Sequence, residues 1–215
     1  MDNNNPTTQT QTADAVGSSA GTLPIRLVLF DIDGTLVSTG GAGVKAFGEA
    51  FEAAFGIPNA TEKIKFAGRT DYSLFRELCQ WNEVEFSVAH RDLFFENYLR
   101  LVDNHLQANE GGPFPGVVKL RDDLAALPDA PAIALLTGNI EEGAKRKLGT
   151  YDLWDRFAFG GFANDNEDRN LIAAAAKAKG SEYLERPLEG GEIVVIGDTP
   201  KDVACGKFIE ARTLG

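Results

Sequence analysis

Three short polar clusters carry residue types suited to phosphate chemistry. In FDIDGTLV, Asp31 and Asp33 stand two apart with a Gly-Thr turn beyond them. One such carboxylate can attack phosphorus while its neighbour handles the proton of the leaving group. Two carboxylates held this close repel, so a divalent cation is the natural third member. Magnesium suits an all-oxygen site built from one or two carboxylates and a substrate phosphate. In LLTGN, Thr137 offers a hydroxyl, and Gly138 and Asn139 offer backbone N–H groups opening a helix, where a phosphate oxygen is readily held. In IGDTPKDV, Asp198 follows an apolar run and Asp202 lies four residues on. Asp198 is placed to complete a metal site from the side opposite Asp31. Each cluster alone also reads as a polar turn or a helix cap. Their joint occurrence after three similar apolar runs favours the phosphate site.

Those runs are IRLVLF (25–30), AIALL (132–136) and EIVVI (192–196). Short unbroken apolar stretches fill parallel strands buried on both faces. In an open parallel sheet the carboxyl ends of neighbouring strands share one edge, and ligands bind there. An α/β fold with the three clusters converging on that edge is therefore expected. Between the runs the period is helical. Val44, Phe47, Phe51 and Phe55 mark one apolar face, and Leu120, Leu124 and Leu127 another. Residues 140–148 read as a helix closed by Gly149, and 170–180 as a helix closed by Gly180. The FAF run (157–159) reads as a further strand. The stretch between the first two strands, roughly 90 residues, far exceeds one crossover helix. Its patterns, SLFRELCQW (73–81) and AHRDLFFENYLRLVDNHL (89–106), are helical. A helical subdomain inserted at 39–113 accounts for it, leaving 23–38 and 114–215 as the core.

The formal net charge of -11 argues against a nucleic-acid backbone as partner. Residues 1–22, rich in Asn, Thr, Gln and Ser, read as a disordered tail without a secretory signal. No apolar run approaches the roughly 20 residues that cross a bilayer. Cys79 and Cys205 form no C-x-x-C pair, which fits a reduced cytoplasmic setting. GAGVKA (41–46) satisfies the G-x-G-x-x-A pattern of dinucleotide-binding proteins, but that pattern must follow a strand directly. Here the acidic pair intervenes, and a hinge between core and insert is the simpler reading.

The order DIDGT, LLTGN, GDTPKD resembles the signature set of the haloacid dehalogenase-like (HAD) phosphohydrolases. Within them it is most similar to the phosphoglycolate phosphatase-like branch, whose helical cap follows the first motif. The resemblance spans roughly 25–215 and implies a Rossmann-like core. It also implies a magnesium-dependent phosphatase acting on a small phosphorylated metabolite through an aspartyl-phosphate, as monomer or homodimer. It assigns Asp31 as nucleophile and Asp33 as the group that protonates the leaving oxygen and then activates water. Thr137 becomes a phosphate ligand, Asp31, Asp33 and Asp198 the metal site, and Asp202 its acidic support. The family also uses a Lys or Arg upstream of the last motif, and Arg169 sits where that cation is expected. Lys145, Arg146 and Lys147 read instead as a solvated helix face. AGRTD (67–71) resembles a cap segment that faces substrate, which makes Arg69 a candidate contact or, equally, a surface residue. A phosphate-binding protein without catalysis and a 2-haloacid dehalogenase are the alternatives. Retention of Asp31, Asp33, Thr137 and Asp198 together argues against the first, and Asp33 against the second. The chain stops at ARTLG, where the family's next strand should begin, so EIVVI is expected at or near a sheet edge.

Overall fold

A computed structural model of the chain describes residues 23–108 and 110–215, so the expected tail lies outside the described residues. The five-stranded parallel sheet comprises β1 (Leu27–Phe30), β4 (Ala132–Leu136), β5 (Gly160–Gly161), β6 (Ile193–Ile196) and β7 (Arg212–Leu214). Its order is β5-β4-β1-β6-β7. The three apolar runs are thus adjacent, with β1 at the centre. Phe30 lies level with Leu135 on one side and Ile196 on the other. This register sets Asp31, Thr137 and Asp198 within two residues of the same sheet edge.

Both faces of the sheet are covered, as unbroken apolar strands require. Leu27 and Leu29 point into a cluster with Ile172, Ala173 and Ala176 of α6 (Arg169–Tyr183) and Cys205 of α7 (Pro200–Phe208). Val28 and Phe30 point the other way, onto Ala144 and Leu148 of α5 (Glu141–Gly149). On that face α4 (Val117–Ala125) contributes Val117, Val118 and Leu124, whereas Leu120 and Leu127 are exposed, contrary to the stripe expected of them.

The long insertion consists of α1 (Ala42–Phe55), α2 (Asp71–Trp81) and α3 (Val88–Ala108). It is entered through β2 (Val37–Ser38) and left through β3 (Gly112–Pro113), which pair antiparallel. The helices pack around Phe47, Phe51, Phe75, Phe94 and Tyr98. Val44, expected on that apolar face, is exposed. No helix among the described residues is long and apolar enough to cross a membrane.

Three expectations need correction. ARTLG does form a strand: β7 pairs in parallel with β6, so β6 lies inside the sheet. Three residues suffice because Gly197 N–H also donates to the Leu214 carbonyl, at 3.1 Å. Gly180 does not close α6, which runs on to Tyr183, and the Gly180 carbonyl accepts from Leu184 N–H at 3.0 Å. The modest helix cost of one glycine, about 1 kcal/mol, is outweighed by the packing of that helix on the sheet. The FAF strand begins later than its aromatic content suggested: Ala158 and Phe159 join the ladder to β4, but the strand proper is Gly160–Gly161.

Candidate active site

A cavity of about 300 Å³ opens where the strand ends meet the insertion. Asp31, Asp33, Thr137, Asn139, Arg169 and Asp198 all line it. Asp31 leaves β1 directly, its N–H held by the Ile196 carbonyl at 2.9 Å. The chain then turns through Gly34 at φ 90°, and this turn passes so close to the Asp198 carboxylate that any Cβ would overlap it. Asp33 is brought back over the sheet edge as the Asp-x-Asp-Gly-Thr spacing implied.

Two buried cations divide the carboxylates between them. Arg169, the first residue of α6, donates through Nη2 to Asp31 Oδ1 at 2.7 Å and also to Asp202 Oδ1. Asp202 in turn closes the first turn of α7, accepting from Thr199 N–H at 3.0 Å and from its hydroxyl at 2.7 Å. Burial pushes the Asp31 carboxyl up to about 7, against the pull of Arg169 and with the push of Asp202. Burial pulls the Arg169 guanidinium down, but Asp31 and Asp202 prevail and hold it above its ordinary range. Arg169 Nε–H is buried and, among the described residues, has no acceptor.

The second cation is Lys147, on α5. Its ammonium donates to Asp33 Oδ2 at 2.7 Å and to Asn139 Oδ1 at 2.6 Å. Asn139 Nδ2 donates to the same Asp33 oxygen at 2.8 Å and to Thr137 Oγ1 at 2.7 Å. Thr137 Oγ1 therefore accepts from Asn139 and keeps its own proton to donate. Lys147 is 5% exposed, which overturns its reading as part of a solvated face. A signal did exist: Lys147 lies three and four residues after Ala144 and Gly143, which are buried on the same side of the helix, whereas Lys145 is exposed.

Among the described residues, the acidic group with metal-binding geometry is Asp31, Asp198 and Asp202, whose ligand oxygens lie within 4.8 Å of one another. Asp202 spends Oδ1 on Arg169 and Oδ2 on Thr199. Among the described residues Asp31 Oδ2 and Asp198 Oδ2 receive no protein donor, so these two are open to a cation. The Asp33 carboxylate pairs through Oδ2 with Lys147 and Asn139.

The insertion reaches the site through residues 66–71. Asp71 N–H donates to the Gly138 carbonyl at 2.7 Å, and Ile140 N–H donates to Asp71 Oδ2 at 2.8 Å. The Arg69 carbonyl lies so close over Gly138 that any side chain there would overlap it. Arg69 itself lines the cavity, but its guanidinium pairs with Glu77 and the Ser73 carbonyl within the insertion. Asp71, buried and pushed up to about 7 by desolvation against the pull of Lys147, was not singled out by the sequence.

The model of the family described as haloacid dehalogenase-like hydrolase matches residues 28–215. A Clostridium perfringens (strain 13 / Type A) protein provisionally named pyrophosphatase PpaX is 25% identical over 197 residues, 89% of this chain and 83% of that protein. Among solved structures, a Haemophilus somnus 129pt protein described as a predicted phosphoglycolate phosphatase superposes with a TM-score of 0.68 at 17% identity. The match covers 91% of this chain and 86% of the other. CbbY from Rhodobacter sphaeroides, in complex with phosphate, gives a TM-score of 0.63 at 17% identity, over 88% and 84% of the two chains. With its signature residues gathered at one sheet edge and the match running from β1 to the last residue, this chain belongs to the haloacid dehalogenase-like hydrolases.

Proposed function

We propose that this hydrolase is a magnesium-dependent phosphatase that passes the phosphoryl group of a small phosphorylated metabolite through Asp31. The observation that carries the reading is the buried pairing of Arg169 with Asp31 at the wall of a cavity that also gathers Asp33, Thr137 and Asp198. Further support comes from the free proton of Thr137 and the backbone N–H of Gly138 beside it. The names carried by the relatives agree with this class of substrate.

Asp31 forms a bond to phosphorus as the bond from phosphorus to the leaving oxygen breaks. Asp33 gives its proton to that oxygen through Oδ1, the oxygen that neither Lys147 nor Asn139 takes. Asp33, now ionised, takes a proton from water as the water oxygen attacks phosphorus and the bond to Asp31 breaks. Asp31 and Asp198 would hold magnesium, with Asp202 holding Arg169 and the α7 turn in place. Magnesium, when bound, supplies the positive charge that lets a phosphate dianion approach a carboxylate. The insertion acts as a cap: its residues 66–71 close the cavity and place Arg69 in its wall.

The test follows hydrolysis of an aryl phosphate with chelator, then with magnesium restored, together with acid-quenched labelling of the protein. Turnover should vanish in chelator and return with magnesium. Asp31→Asn should lose roughly 10⁴-fold or more in kcat and take up no label. Full activity in chelator, or labelled Asp31→Asn, would sink the reading.

A further inference from the structure

We infer that Lys147 is the positioning residue for the acid–base carboxylate Asp33, and that poor leaving groups are expelled only when it is in place. The inference rests on the reading of Asp33 given above. Burying an ammonium is costly unless charge and hydrogen bonds compensate it, and here the compensation is specific. The ammonium bridges Asp33 Oδ2 and Asn139 Oδ1, and Asn139 closes the triangle onto the same Asp33 oxygen. Opposite it, Gly43 of α1 leaves space: a Cβ there would stand 3.3 Å from Lys147 Nζ. Asp71 and Tyr98 from the insertion also face it.

The consequence is geometric. Asp33 is substantially exposed, with 44% of its side chain open to solvent, and an unrestrained carboxylate there would sample several rotamers. Two donors on Oδ2 fix the rotamer and leave Oδ1 as the only oxygen for proton transfer. Lys147 thereby serves the steps in which Asp33 gives or takes a proton and no others. The cation on the Asp31 side is Arg169, not Lys147.

Leaving-group dependence separates this role from a merely structural one. An alkoxide needs a proton to depart, whereas a nitrophenolate does not. Wild type, Lys147→Met, Asp33→Asn and the double variant are compared on a simple alkyl phosphate and on nitrophenyl phosphate. For Lys147→Met, kcat/KM on the alkyl phosphate should fall roughly 100-fold, the lower range of general acid catalysis, and stay nearly unchanged on nitrophenyl phosphate. Because hydrolysis of the intermediate still needs Asp33, kcat should fall on both substrates, with a burst of nitrophenolate. The double variant should fall no further than Asp33→Asn alone. Equal losses of kcat/KM on the two substrates, additive losses in the double variant, or no loss at all would each overturn the inference. If Lys147→Met does not fold, Lys147→Leu, which likewise has no donor, carries the same comparison. Wild type inactive on every phosphate ester would instead refute the phosphatase reading itself.

Discussion

The insertion and the core exclude water by different means. In the insertion the Phe47 ring meets Phe66, Phe94, Phe95 and Tyr98 at centroid distances between 4.9 and 6.2 Å. In the core, β1 buries Leu27, Val28, Leu29 and Phe30 between layers dominated by Ala, Ile and Leu. Charge follows the same division. Asp31, Lys147, Arg169 and Asp202 are all buried in the core at the sheet edge, while the insertion buries only Asp71 among its described charged residues, and that one faces the core. Three helices without a sheet have little backbone to share, so large rings must supply their buried area, each pair adding about 0.5–1.5 kcal/mol beyond area alone. The sheet satisfies its own backbone and so tolerates buried ions at one edge. Stability in the insertion and chemistry in the core are thus held by separate sets of residues.

Removing a central ring is the strongest way to break that comparison. Phe94→Ala, in the middle of the aromatic cluster, should cost about 3–5 kcal/mol in denaturant unfolding. A cost under about 1 kcal/mol would mean that the insertion does not depend on its rings. Gly138→Ala attacks the contact between the two regions. Its methyl group must displace the Arg69 carbonyl, and a strain of about 1–3 kcal/mol is expected, with weakened substrate turnover and an intact core. Wild-type stability and activity together would show that the insertion sits farther from the strand ends than the close packing on Gly138 implies.

The last test concerns Asp71, the charged residue that the insertion buries among those described. Burial raises the Asp71 carboxyl to about 7 from an ordinary value of 3.8, so the folded chain binds this proton more tightly than the unfolded one. Its ionisation penalty is absent below pH 3.8, grows as pH rises and is complete above about 7. Asp71→Asn keeps an acceptor for Ile140 N–H and removes the titration. Its stability relative to wild type should therefore rise between pH 4 and pH 7 and level off above, as chemical unfolding at a series of pH values would show. A difference independent of pH would mean that Asp71 ionises freely.

The parallel-sheet core and the meeting of Asp31, Asp33, Thr137 and Asp198 were legible because apolar runs with polar ends encode both burial and position. Arg169 was legible only through family resemblance, for nothing in NEDRNLI distinguishes a buried arginine. Lys147 was hidden in a charge run whose other members behave as expected: Lys145 is exposed, and Arg146 pairs with Asp103 of α3. β7 was missed because three residues, one of them Arg212, carry too little apolar pattern to signal a strand. Asp71 was hidden because an acidic residue opening a helix is ordinary, and only its partner Ile140, 69 residues away, makes it special.

The two hydrogen bonds at Asp71 also give the molecule a built-in reporter. The amide protons of Asp71 and Ile140 both bridge the insertion and the core, at 2.7 and 2.8 Å. Neither can exchange with solvent deuterium until the insertion lifts from the strand ends, whereas the Leu29 amide, at the centre of the sheet, waits for unfolding of the core. The ratio of their exchange rates to that of Leu29 is then a direct measure of how often the cavity opens. A ligand that bridges Arg169 and the insertion should slow the first two and leave the third nearly unchanged.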